Sequence, residues 1–200
     1  MKHLVSIMVI FVLILALPTD SQAQLRKRTT SKTSKTNKEK ASDDETRFLD
    51  KTYAELKFGN LGFFNGLYIS SKLDVGYKVH DRFSFGGGTK LCFKQQVRQN
   101  APDPSIFDIG GFVHARAKIT NDIYFQAEYA FMKYGKDPDG YIYRGFSTAQ
   151  NVNYPLFGLG YMSGTDKWRF GIELLYIANE KARDYQGSIV EYWFGASYNF

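Results

Sequence analysis

Eight segments between residue 52 and the C-terminus alternate apolar and polar side chains with a period of two, which is typical of β-strands with two unlike faces. The predicted strands are residues 52–60, 67–79, 82–94, 105–119, 122–134, 152–163, 167–177 and 188–200. The links alternate between tight turns at 80–81, 120–121 and 164–166 and longer polar segments at 61–66, 95–104, 135–151 and 178–187. An even number of strands with short turns at one end and long loops at the other predicts a closed up-and-down antiparallel barrel.

Two of these strands carry irregular features. The sixth contains Pro155 and alternates poorly over residues 154–161, which predicts a bulge or an irregular end. The third contains Gly86, Gly87 and Gly88, which lack the spacing of a phosphate-binding loop and lie in the middle of a strand. We expect these glycines to bend the strand or to make room for neighbouring side chains.

Alternation alone does not say which face is inside, since a soluble lipocalin-like barrel also alternates but turns its apolar face inward. Here the apolar face carries so many rings and branched side chains that an eight-stranded barrel could not contain them. The other face carries nearly equal numbers of basic and acidic residues, as a buried lumen requires because unpaired buried charges are costly. We therefore predict a lumen charge network of Glu55, Lys57, Lys72, Asp74, Lys90, Asp108, His114, Arg116, Glu128, Arg169, Glu173 and Glu191, with Glu128–Arg116 and Glu173–Arg169 as candidate pairs.

The end of the chain carries the most specific signal. Tyr192, Phe194, Tyr198 and the terminal Phe200 share one face of the last predicted strand. In this respect the chain from about residue 52 resembles the small eight-stranded outer-membrane barrels of the OmpA/OmpX type. The resemblance implies an all-β, eight-stranded antiparallel up-and-down transmembrane β-barrel in contact with outer-membrane lipids. It also implies that the barrel-assembly machinery recognises the C-terminal segment during biogenesis.

The N-terminal quarter of the sequence has a different character. Residues 1–23 combine Lys2, an apolar run over 4–17 and small residues before Gln24, which predicts a cleaved signal peptide. Residues 24–50 are rich in Lys, Ser and Thr and predict a disordered basic linker, with the barrel over 51–200. Export to the outer membrane makes a nucleic-acid partner unexpected, although residues 24–40 carry seven basic residues against Glu39 alone.

No residue pattern indicates a catalytic, metal or cofactor site. His114 lies in a strand, but its position faces inward and Arg116, rather than a serine, follows two residues later. We therefore predict a non-enzymatic integral barrel with a plugged polar lumen that acts through surface loops, in adhesion, partner binding or envelope integrity. The third long loop offers Tyr141, Tyr143 and Arg144 as contact candidates. The alternatives are a narrow pore for ions or small solutes, a lipid-modifying outer-membrane enzyme, and an exported soluble lipocalin-like carrier.

Overall fold

A computed structural model describes residues 48–63, 66–96, 105–137, 145 and 147–200. These residues form β1 (Thr52–Gly62), β2 (Gly66–His80), β3 (Phe83–Gln96), β4 (Ser105–Lys118), β5 (Ile123–Tyr134), β6 (Gln150–Gly164), β7 (Trp168–Ile177), α1 (Glu180–Gln186) and β8 (Val190–Asn199). Each strand pairs antiparallel with the next, and β8 pairs with β1, so the sheet closes on itself. The predicted eight-stranded antiparallel barrel is confirmed. Among the described residues, no helix has the length and apolar character needed to cross a membrane.

The link between β7 and β8 contains a helix that the sequence analysis missed. The side chain of Asn179 caps α1 by accepting a hydrogen bond from the Ala182 N–H at 3.0 Å. Gly187 ends the helix in the left-handed conformation with φ of 69°, where its N–H donates to the carbonyl of Arg183. The capping Asn and the terminal Gly are the sequence signals that could have predicted the helix.

Of the two outcomes predicted for Pro155, a bulge or an irregular end, the bulge is wrong, because β6 pairs in unbroken register with β5 and, from Leu156 onward, with β7. The N and C=O of one residue in an antiparallel strand point to the same neighbour. The Pro155 carbonyl accepts from Ala178 N, one residue beyond the paired part of β7, so the missing N–H interrupts no ladder. Shifts in register occur instead between Gly59 and Gly62 of β1 and between Lys78 and His80 of β2.

The two faces of the sheet are oriented with the apolar side outward. Large apolar side chains along the whole outer surface are about half exposed, including Val75, Phe85, Val113, Leu159 and Phe170. Charged side chains on the other face are almost completely buried: Glu55, Lys57, Lys72, Asp74, Lys90, Asp108, Arg116, Glu128, Glu173 and Glu191. The barrel is therefore apolar outside and charged inside.

Two tyrosine rings fill the lumen near the short turns, and each needs a glycine beside it. Tyr124 is in register with Gly160 on the neighbouring strand, and a Cβ at Gly160 would lie 2.1 Å from the ring Cζ. Tyr53 and Gly76 repeat the arrangement with the same distance. These glycines let both rings lie against the adjacent strand and direct their hydroxyl groups towards the lumen charges.

Candidate functional site

Arg116 of β4 anchors the end of the lumen network nearer the short turns. Its guanidinium forms a bidentate pair with Glu55 of β1, with nitrogen–oxygen distances of 2.7 and 2.8 Å. The same group donates to Glu173 at 2.9 Å and to the amide oxygen of Gln126 at 2.6 Å. Its plane lies over Tyr124, with 4.9 Å between the guanidinium carbon and the ring centroid. A planar, rigid cation is well suited to such convergent acceptors.

Three buried lysines continue the network towards the long loops, and each contacts two carboxylates. The contacts are Lys57 with Glu55 (2.6 Å) and Glu173, Lys72 with Glu128 (2.6 Å) and Glu173 (3.5 Å), and Lys90 with Glu128 (2.5 Å) and Glu191 (2.8 Å). The candidate pairs Glu128–Arg116 and Glu173–Arg169 are therefore replaced by other partners. Most of these contacts join strands that are not neighbours in the sheet, such as β2 with β5 and β7, so strand-by-strand analysis of the sequence could not align the partners.

Asp74 is the least well paired carboxylate of the network. Its Oδ2 lies 3.5 Å from Arg116 and 3.2 Å from Nε2 of His114, and its buried Oδ1 has no hydrogen-bond partner among the described residues. The central network as a whole sets four cations (Lys57, Lys72, Lys90 and Arg116) against five carboxylates (Glu55, Asp74, Glu128, Glu173 and Glu191). One carboxylate is thus in excess among these nine residues.

Aromatic side chains, which the sequence analysis did not place inside, fill the half of the lumen nearer the long loops. Trp193 donates from Nε1 to Glu191 at 3.0 Å, and the Tyr154 hydroxyl donates to the same carboxylate at 3.1 Å. The Lys72 ammonium lies 4.4 Å from the centroid of the Phe112 ring, close enough for a cation–π interaction. Phe112 and Trp193 share their strand face with charged residues, Arg116 on β4 and Glu191 on β8, so their parity with those residues is the signal that could have identified them.

Helix α1 covers this end of the lumen. Gln186 donates from Nε2 to the Tyr154 hydroxyl at 2.5 Å and to Glu191 at 3.0 Å. Tyr185 packs edge-on against Tyr134, with ring centroids 5.3 Å apart. The helix is therefore tied to the lumen network rather than resting freely above the barrel.

Two members of the predicted lumen set lie away from the central network. Arg169 is partly exposed at the short-turn end, where it donates to the carboxylate of Asp122 at 2.8 Å and to the carbonyl of Asn121 at 2.7 Å. Arg169 is the second residue of β7, and Glu173 lies four residues further along the same strand towards the middle of the barrel. The two side chains are therefore too far apart to pair. Asp108 is buried near the long loops and accepts from the N–H of Gly135 at 2.8 Å.

The remaining predicted residues are those of the C-terminal segment, which the structure describes, and those of the third long loop, which it does not. Tyr192, Phe194 and Phe200 are exposed on the outer face, and Tyr198 lies between Trp168 and Phe200, with ring centroids 4.8 and 5.3 Å away. The loop candidates Tyr141, Tyr143 and Arg144 lie outside the described residues, as do the predicted signal peptide and nearly all of the basic linker.

A cavity opens at each end of the barrel, and the network lies between them. The cavity at the short turns, of about 340 Å³, reaches inward as far as Glu55, Arg116 and Tyr124. The cavity at the long loops, of about 330 Å³, reaches Lys90, Glu191 and Trp193. Lys57, Lys72, Glu128 and Glu173 line neither cavity, and all four are buried. These four residues form an ion-pair layer that lies between the two cavities.

No protein-family model and no curated protein sequence matches the chain. Among solved structures it is similar to Ail, the attachment invasion locus protein of Yersinia pestis, in complex with the heparin analogue sucrose octasulfate. The identity is 11% and the TM-score 0.43, covering 75% of this chain and 99% of that one. A second Ail structure (13% identity, TM-score 0.37) and Neisserial surface protein A (17% identity, TM-score 0.37) each cover 74% of this chain and 94% of their own. Because these similarities are low, nothing that those proteins bind is assigned to this chain.

Proposed function

We propose that the protein is an integral outer-membrane barrel with a closed lumen, which acts through its long-loop end. The observation that carries this proposal is the inverted arrangement of the two faces. A soluble barrel would bury its rings and branched side chains, whereas here they are exposed along the whole outer surface. A closed barrel also pairs its strands without leaving an edge, which is what the hydrocarbon core of a membrane demands of a sheet.

The closed lumen supports a role that does not depend on transport. The layer of Lys57, Lys72, Glu128 and Glu173 separates the two cavities, and opening a path would strip several buried charges of their partners. An eight-stranded barrel has an interior that side chains alone can fill. These features weigh against the narrow-pore alternative.

The lipid-modifying alternative rested on His114, and its surroundings weigh against it. The imidazole points into the lumen, where it lies beside Asp74 and 5.9 Å, centroid to centroid, from the Phe112 ring. A lipid on the outside of the barrel could not reach it. We therefore retain the proposal that the protein is not an enzyme, with the loops as its contact surface for a partner in adhesion or envelope integrity.

The membrane location is tested first by fractionation and gel mobility. We expect the protein in the outer-membrane fraction, migrating faster on a denaturing gel before boiling than after it. Such a shift reports a barrel that stays closed in detergent. A protein that is soluble without detergent and shows no shift would contradict the proposal and revive the lipocalin-like alternative.

The role of the loops is tested by a matched pair of variants in cells. The triple variant Y141A/Y143A/R144A should abolish adhesion or partner binding while the gel shift stays unchanged, since the three residues come after the end of β5 (Ile123–Tyr134) and before the start of β6 (Gln150–Gly164) in the sequence. The control variant T165A/D166A alters the exposed turn between β6 and β7 at the other end of the barrel. Unchanged binding in the triple variant, or equal loss in both variants, would contradict the assignment of these contact residues.

The closed lumen has a separate test. Purified wild-type protein in a planar bilayer should give no stable, reproducible single-channel steps. Reproducible conductance from the pure protein would show that the ion-pair layer opens and would favour the pore.

A further inference from the structure

The mouth at the short turns concentrates positive charge in a way that the rest of the lumen does not. Lys78, Arg82, Lys118 and Arg169 line the cavity there, together with the buried Arg116. The acidic side chains in its lining are Glu55, Asp81 and Asp166. Since Glu55 is bound in the bidentate pair with Arg116, it does not neutralise the outer cations.

Two of these cations, Lys78 and Lys118, line the cavity without a carboxylate partner among the described residues. Lys78 is half-buried, and its ammonium donates to the Oδ1 of Asn199 at 2.7 Å. The amide of Asn199 in turn donates to the carbonyl of Asp166 at 2.7 Å, which fixes the orientation of the acceptor. One hydrogen bond leaves two ammonium hydrogens of Lys78 available to a ligand. Lys118, on β4, lines the same cavity and forms no ion pair among the described residues.

Neutral donors lie in the same mouth. Ser84 stands between the two lysine-bearing strands, in register with Lys78 on one side and Arg116 on the other. Asn121 lines the cavity from the turn after β4. Cations and neutral donors that converge on a concave site are the chemistry that binds phosphate oxygens.

A second cavity, of about 710 Å³, adjoins this mouth and shares Lys78, Arg82 and Lys118 with it. Its lining also includes Val79 and Ile119, whose side chains are more than half exposed on the outer face. The same two lysines are therefore accessible both from the lumen and from the rim where the apolar outer surface ends.

We propose that the short-turn mouth is a phosphate-binding site in which Lys78 and Lys118 are the principal ligands. The phosphate can belong to a soluble phosphate compound entering the mouth or to a phospholipid headgroup at the rim, and both present the same oxygens to the two ammonium groups. The site is separated by the ion-pair layer from the long-loop end, so it is independent of loop-mediated binding.

The test uses the full-length protein folded in uncharged micelles and measures binding by isothermal titration calorimetry. Inorganic phosphate is titrated in one arm, and phosphatidylglycerol, with phosphatidylcholine as reference, is added to the micelles in the other. The K78Q/K118Q variant should weaken binding about tenfold or more, because each lysine contributes a charge-assisted hydrogen bond. The matched control K133Q/K136Q removes the same charge from exposed lysines near the long loops. All variants are first checked for the gel shift.

Saturable binding in the phosphate arm that K78Q/K118Q weakens and K133Q/K136Q does not would support the site with a soluble ligand. The same pattern with phosphatidylglycerol alone would support it with a lipid headgroup as the source. Absence of saturable binding in both arms, or equal weakening by the two double variants, would overturn the proposal.

Discussion

Two neighbouring inward residues of β2, Lys72 and Asp74, provide the sharpest test of the charge balance in the lumen. Replacing Lys72 by Met leaves Glu128 without its contact at 2.6 Å and Glu173 without its contact at 3.5 Å, and widens the carboxylate excess from one to two. Removing one partner of a buried pair typically costs about 3–5 kcal/mol, and we expect K72M to fall in this range. Methionine is unbranched and only slightly shorter than lysine, so the loss reports the ammonium group and its contacts rather than a large cavity.

Replacing Asp74 by Asn changes the balance of buried charges in the opposite direction from K72M. The substitution removes the surplus carboxylate, and that carboxylate accepts few good hydrogen bonds: its contact with Arg116 is 3.5 Å long and one of its oxygens has no partner among the described residues. We therefore expect D74N to change the free energy of unfolding by less than about 1 kcal/mol, or to raise it.

The two variants are compared by urea unfolding in the same lipid, followed by tryptophan fluorescence and by the gel shift. Trp193 is a suitable reporter, since its ring centroid lies 5.5 Å from the Lys72 ammonium. Equal losses in K72M and D74N, or a larger loss in D74N, would refute the assignment of one excess carboxylate to the network.

Three further predictions test the outer face, the packing and the helix. Val113→Lys, halfway along β4, should lower the free energy of unfolding in lipid by about 2–4 kcal/mol, whereas Ile119→Lys at the rim should lower it by at most about 1 kcal/mol. Equal losses in the two variants would contradict a membrane-facing surface. Gly160→Ala should destabilise by about 1–3 kcal/mol in the same assay, because its Cβ would lie 2.1 Å from the Tyr124 ring. Asn179→Ala should weaken α1 by about 0.5–2 kcal/mol, seen as faster amide hydrogen exchange in the helix alone.

The architecture could be predicted because a barrel is specified by local patterns. Period-two alternation identifies each strand, and alternating link lengths give both the up-and-down order and the even count. Two details of the architecture were not predicted correctly, and each has a physical reason. Pro155 suggested a bulge, but whether its missing N–H matters depends on where β7 ends, which is set by the neighbouring strand. Helix α1 is too short and too polar to show a hydrophobic periodicity, and only its caps identify it.

The contents of the lumen were harder to predict than its polarity. The inward parity of the charged residues follows from the sequence, but the partner of each charge depends on the shear of the closed barrel, which no single strand encodes. Glu173 lies close to Arg169 along the chain, yet it contacts Lys57 and Arg116 from other strands. The inward positions of Trp193 and Tyr154 were missed because alternation of apolar and polar residues does not exclude an aromatic side chain from either face of a membrane barrel.

The register of the first strands explains why this network depends on closure of the barrel. Lys57 of β1 lies directly opposite Lys72 of β2, and Lys72 lies opposite Lys90 of β3, so neighbouring strands place like charges side by side. Such pairs are destabilising in an isolated hairpin. Glu55 contacts Lys57 from within β1, but the other carboxylate partners are Glu128, Glu173 and Glu191, on β5, β7 and β8. Most of the repulsion within β1–β3 is therefore relieved when these later strands are in place. Since each lysine then bridges two carboxylates, the charged layer between the two cavities also favours the complete barrel over its partly assembled hairpins.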